Sequence, residues 1–155
     1  MRGKRAKKRP LVGDSIYKSK IVNRVINIIM LNGKKSTAES IVYGAMSKLN
    51  EDRKEALTMF EQAVKNVMPQ QEVRSKRVGG ATYQVPMPLK HERSEALAAR
   101  WIISAARHKK GKPMEEKLYD EVNNAYQNIG DAIKKKEDTH RMAEANRAFS
   151  HFARN

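Results

Sequence analysis

Apolar residues recur every three to four positions along most of the chain, and that spacing predicts helices. From Ser19 they fall at Ile21, Val22, Val25, Ile26, Ile28 and Ile29, with Asn32-Gly33 as a stop. Ser36 with Glu39 reads as a capping box opening a second helix, which carries Ile41, Val42, Ala45, Met46 and Leu49. Asp52 with Glu55 repeats the signal ahead of Leu57, Phe60, Val64 and Val67, and Pro69 ends that stretch. A fourth helix is expected from Ser94, carrying Leu97, Trp101 and Ala105 and closing at Gly111 before Pro113. Met114, Leu118, Val122, Ala125 and Ile129 stripe a fifth, ending at Gly130. A last helix is expected after Asp138-Thr139, with Met142, Ala145, Phe149 and Phe152 facing inward.

Residues 70–89 break the helical period. Tyr83, Val85, Met87 and Leu89 alternate with Gln84, Pro86 and Pro88, the two-residue period of a strand. Gly79-Gly80 can adopt the positive φ angles of a tight hairpin turn. A two-stranded ribbon is marginal alone, so it must pack on helices or on a partner.

The pattern therefore describes a mainly α protein: one bundle of about six helices with a protruding β-hairpin at about residues 71–89. Residues 1–13 hold six cations, Pro10 and Gly13, and are expected to form a basic, disordered N-terminal arm on a single helical domain over 14–155. A length of 155 residues fits one domain. With no cysteine, thiolate metal sites, disulfides and thiol catalysis are excluded. The longest aliphatic run, Ile28 to Leu31, is too short to cross a bilayer, and Leu11-Val12 is no signal-peptide core. A cytoplasmic protein is expected, without a membrane partner.

Charge changes this picture most. The chain has 32 Lys and Arg against 17 Asp and Glu, a net +15. Half of those cations lie in four acid-free windows: residues 1–9 (Arg2, Lys4, Arg5, Lys7, Lys8, Arg9), 74–77 (Arg74, Lys76, Arg77), 107–112 (Arg107, Lys109, Lys110, Lys112) and 134–136 (Lys134, Lys135, Lys136). The rest of the chain is nearly neutral. Cations gathered on an arm, a ribbon and interhelical loops suit a polyanion, because each one placed on a phosphate releases a condensed counterion.

Catalytic readings find no support. Gly33-Lys34-Lys35-Ser36-Thr37 echoes the end of a phosphate-binding loop, but Ile28 stands where that loop needs glycine, and a helix precedes it instead of a strand. His91, His108, His140 and His151 lack paired metal spacing. Glu115, Glu116, Asp120 and Glu121 fall in the first half of the fifth helix, where carboxylates suit the dipole, and nothing in the pattern places them in an apolar pocket. No cofactor, metal or small-molecule substrate is expected. Tyr83 reads first as packing the ribbon onto the bundle and second as stacking on an unpaired base.

Two long motifs name a family. Residues 66–86, NVMPQQEVRSKRVGGATYQVP, and 137–149, EDTHRMAEANRAF, closely resemble the signatures of the small-subunit ribosomal protein S seven family. Residues 14–20, DSIYKSK, and Gly33-Lys34-Lys35 match its first-helix region in order. The resemblance implies a non-catalytic protein that binds the 3′ major domain of small-subunit rRNA and starts assembly of the head. It also implies a place near the exit-site tRNA and the mRNA exit path, beside ribosomal proteins S nine and S eleven. Carried over by position, Lys34 and Lys35 match the basic turn after the first helix, Arg74, Lys76 and Arg77 the basic ribbon, and Gly79 and Gly80 its turn. Lys134 to Lys136, His140, Arg141 and Arg147 match the basic C-terminal segment; Arg93, after a divergent stretch, is a further candidate contact. The end of the chain, Phe152-Ala-Arg-Asn155, departs from the aromatic finish common in bacterial members. Two other readings remain open. A DNA-binding helical regulator would need its cations along one recognition helix, and an RNA-processing enzyme would need turnover dependent on His140.

Overall fold

A computed structural model describes residues 3, 6 and 10–154. Helices α1 (Lys20–Ile29), α2 (Lys35–Leu49) and α3 (Arg53–Val67) lead into strands β1 (Gln71–Val78) and β2 (Ala81–Pro88). Helices α4 (His91–His108), α5 (Met114–Tyr126) and α6 (Asp131–Ala145) follow, and a 3₁₀ helix (Arg147–Arg154) ends the described chain. The protein is thus mainly helical with one antiparallel hairpin, as the periodicity predicts. No helix among the described residues is long and apolar enough to cross a membrane.

Helix α5 packs against α2, α3 and α4, while α1 lies across α2 and α4. Val22, Val25 and Ile26 meet Phe60, Val64, Ile102, Ile103 and Leu118 in one core, all nearly solvent-free. The buried face of α4 is set by Ala98, Ala99, Ile102, Ile103 and Ala106. Trp101 sits at its margin, partly buried. The small side chains let α4 approach its neighbours closely, and adjacent aliphatics supply the apolar area.

Some helix boundaries follow local chemistry. Asp52 caps α3, its Oδ1 accepting from Lys54 N at 2.9 Å. Asn32 and Gly33 take positive φ after α1. Elsewhere the tertiary structure moves the boundary. Ser36 does not cap α2; it lies inside a helix that begins at Lys35. Helix α4 begins three residues before Ser94, whose buried hydroxyl instead donates to the Pro69 carbonyl at 2.6 Å. Helix α5 ends at Tyr126, which leaves Ile129 exposed.

The last helix differs most from the sequence expectation. It begins at Asp131, so Asp138-Thr139 lies in its middle and Lys134 to Lys136 are on a helix and not in a loop. Its buried positions are Ala132, Ile133, Thr139 and Ala143, and Met142 faces solvent. Phe149 and Phe152 belong to the 3₁₀ helix and pack on Tyr83, not in the bundle core.

Candidate nucleic-acid interface

The hairpin is built as its sequence predicts. Val78 pairs with Ala81, leaving Gly79 and Gly80 as a two-residue turn with φ of 56° and 89°. A Cβ on either glycine would point into open space, so the backbone conformation demands glycine here, not crowding. Because strand side chains alternate, the three ribbon cations divide between two faces. Arg74 and Lys76 share a face with Glu72, Tyr83, Val85 and Met87, whereas Arg77 is on the other with Ser75 and Gln84.

The first of these faces rests on the C-terminal 3₁₀ helix. The Tyr83 ring lies 5.2 Å from the rings of both Phe149 and Phe152, and Lys76 Nζ donates to the Phe152 carbonyl at 2.8 Å. Tyr83 thus packs the ribbon onto the chain itself. At the root, Glu72 is buried and holds Arg74 and Arg93, and His140 Nε2 accepts from Gln70 N at 3.1 Å. Accepting at Nε2 requires a neutral imidazole. Partial burial, and then the nearby Lys136 charge, hold the His140 pKa below its ordinary 6.5, so at neutral pH it is a strut, not a cation.

The other predicted cations that the structure describes fall into three groups. Arg107 Nη2 donates to the Ile29 carbonyl at 3.1 Å, closing the end of α1, and Lys136 Nζ donates to the Asn66 carbonyl at 2.7 Å, near the end of α3. Lys109 Nζ lies 2.7 Å from Glu121 Oε2, whose other oxygen accepts from Ala132 N at 3.0 Å. These side chains hold the bundle together. Lys134, Arg141 and Arg147 pair across one helical turn with Asp131, Asp138 and Glu144 in well-solvated positions, where such pairs contribute little. Lys34, Lys35, Arg77, Lys110 and Lys135 are exposed, with Lys35 reaching Glu39 at 3.6 Å. The arm cations Arg2, Lys4, Arg5, Lys7, Lys8 and Arg9 lie outside the described residues.

Three acids matter that are not among the predicted site residues. Glu121 is fully buried, against the expectation for the fifth-helix carboxylates. The signal was present, because position 121 falls between Leu118 and Ala125 on the apolar stripe. Asp14 is buried and accepts from the backbone of Ile16, Tyr17 and Ser19 at 2.8–3.0 Å, tying the loop that leads into α1. Glu72 lies on the ribbon motif, among its cations. Among the described residues, no three His, Asp or Glu side chains gather as a metal site.

Cations on a ribbon, on interhelical turns and on α6, around a core with no metal cluster among the described residues, match a scaffold that presents charge. A sequence model described as ribosomal protein S7p/S5e matches residues 1–147. The small ribosomal subunit protein uS7 of Thermotoga neapolitana is 55% identical over 153 residues, covering 98% of this chain and 99% of its own. That of Thermosipho africanus is 56% identical with the same coverage, and that of Pelotomaculum thermopropionicum is 53% identical over 94% of each chain. With the fold, the ribbon signature and full-length similarity in agreement, the chain belongs to the ribosomal protein S7p/S5e family.

Proposed function

We propose that this chain, as a structural and non-enzymatic ribosomal component, works by clamping several segments of small-subunit rRNA onto one preformed helical body. The observation that carries this reading is the division of charge: half of the cations sit in four acid-free windows, and the remaining sequence is close to neutral. Among the described cations of the predicted interface, Lys34, Arg77, Lys110 and Lys135 have no carboxylate or carbonyl duty and are the first candidates for phosphates, joined by Lys35, Arg74, Lys76 and Arg93. Arg107, Lys109, Lys136 and His140 serve the interface by fixing the elements that carry it. Phosphate contacts set position and orientation, and in double-stranded RNA shape dominates recognition.

The family resemblance extends the reading to the 3′ major domain of the rRNA, to the start of head assembly, and to a site near exit-site tRNA and the mRNA exit path. Ribosomal proteins S nine and S eleven are the expected neighbours, in the cytoplasm. Residues 1–13 act in this reading as an RNA-seeking arm on the 14–155 domain. The test is a binding titration with a 3′-domain rRNA fragment across salt concentrations. Replacing Arg74, Lys76 and Arg77 together with Ala weakens binding, and each lost phosphate contact shallows the slope of log affinity against log salt by roughly 0.7–0.9. An unchanged slope refutes the ribbon's contact with phosphate. Preference for duplex DNA over the fragment refutes the RNA assignment as a whole.

A further inference from the structure

The hairpin root holds a buried acid whose arrangement exceeds what stability asks of it. Glu72 is 9% exposed, and its two carboxylate oxygens go to two different arginines. Oε1 accepts from Arg74 Nε at 2.6 Å, with Arg74 Nη2 on the same oxygen. Oε2 accepts from Arg93 Nη2 at 3.2 Å. Arg74 comes from β1 and Arg93 from the first turn of α4, so one carboxylate joins the ribbon to the bundle. A single guanidinium would neutralise it. Two leave the cluster with net positive charge.

The two guanidiniums remain open to solvent while their anchor does not. The Arg74 and Arg93 side chains are 55% and 45% exposed, against 11% for that of Glu72. A guanidinium has five N–H donors, and Arg74 commits two to the acid while Arg93 commits one. The remaining donors belong to groups whose orientation is already fixed. A free arginine carries about 2 kcal/mol of rotamer entropy. Here much of that cost falls on folding and not on binding, which is the general route by which preorganisation raises affinity. Planar donor forks anchored on the two oxygens of one carboxylate match the oxygens of a phosphodiester backbone better than separate ammonium groups do.

We propose that Glu72 is a positioning residue that holds Arg74 and Arg93 as one preassembled guanidinium pair for the ribose–phosphate backbone of RNA. The inference rests on the RNA-binding reading above and adds a role for an acid inside a basic interface. Its test turns on sign. Glu72→Gln removes a negative charge beside a polyanion, so without a positioning role it tightens binding. With the role, the arginines lose their shared anchor and affinity for the 3′-domain fragment falls by about tenfold, the scale of one charge-assisted hydrogen bond.

Arg74→Lys and Arg93→Lys supply a second arm at exposed positions that keep the charge. Each weakens binding several-fold if the fork geometry matters, and each loses less in the Glu72→Gln background than in the native one. Tighter or unchanged binding by a Glu72→Gln protein with native unfolding overturns the proposal. If that variant does not fold, unchanged affinity in both lysine variants overturns it. The triple ribbon variant separates the two claims. When it leaves the salt slope unchanged, the RNA reading of the ribbon fails; when it weakens binding but Glu72→Gln does not, only the guanidinium pair fails.

Discussion

Glu72 and Glu121 are both buried acids that hold cations from the basic windows, yet they serve opposite ends. Glu121 sits at the junction of α4, α5 and α6, fully buried, with Lys109 on one oxygen and the Ala132 backbone on the other. Its lysine side chain is only 26% exposed, drawn toward the buried carboxylate. Glu72 sits at the hairpin root with two arginines that remain about half exposed. The chemistry is the same ion pair. What differs is how much of the cation is left facing solvent, and that separates a structural cation from one able to meet a phosphate. A cluster of positive charge in a sequence is therefore a weak guide to contact until the acid behind each cation is known.

The sharpest way to break this contrast is at Glu121. Glu121→Ala leaves a cavity, an unpaired Ala132 N–H and a displaced Lys109, and is expected to lower unfolding free energy by about 3 kcal/mol. Glu121→Gln keeps the volume and the acceptor for Ala132, and Lys109 can turn to water, so it costs clearly less. Chemical denaturation measures both. Equal losses in the two variants would mean that charge, not shape and acceptor, holds the junction.

The comparison also explains what could be read without coordinates. The helices with an unbroken apolar stripe, α1 and α3, and the Gly79-Gly80 turn were legible, since period, cap and turn chemistry agree there. The start of α6 was not. Its first turns are dominated by lysines, and it is held by contacts from afar: Glu121 on Ala132 N, and Lys136 on the Asn66 carbonyl. A serine ahead of an apolar stripe has the pattern of a cap, whereas Ser94 satisfies the carbonyl of Pro69 across a chain reversal. Of the proposed interface, the place of the ribbon cations on the hairpin was legible. The sorting of its cations into struts and free groups depends on partners distant in sequence, such as Arg107 with Ile29, and no local pattern encodes that.

A second, smaller effect probes the hairpin root through His140. Its pKa is lowered in the folded state, by burial first and by Lys136 second, so the folded protein binds fewer protons than the unfolded chain. The stabilisation is complete above the ordinary value of 6.5 and is lost as pH falls through the folded pKa. Protonation also removes the Nε2 lone pair that accepts from Gln70 N. The native protein should lose stability relative to His140→Gln, whose amide does not titrate, as pH falls below 6.5. Parallel pH profiles of the two proteins would show that the contact does not couple α6 to the ribbon.

The smallest expected effect tests the lower limit of the same logic. Arg147 and Glu144 pair at 3.3 Å, but their side chains are 80% and 67% exposed. Water solvates both charges almost as well as they solvate each other, and salt screens what remains. Glu144→Gln should therefore change unfolding free energy by no more than about 0.5 kcal/mol. Its effect on RNA binding should be opposite in sign to that of Glu72→Gln, because here the acid restrains nothing and only repels phosphate. Affinity should rise slightly, and more at low salt than at high. If Glu144→Gln instead weakens RNA binding, exposed acids also position cations in this protein, and burial is not what distinguishes Glu72.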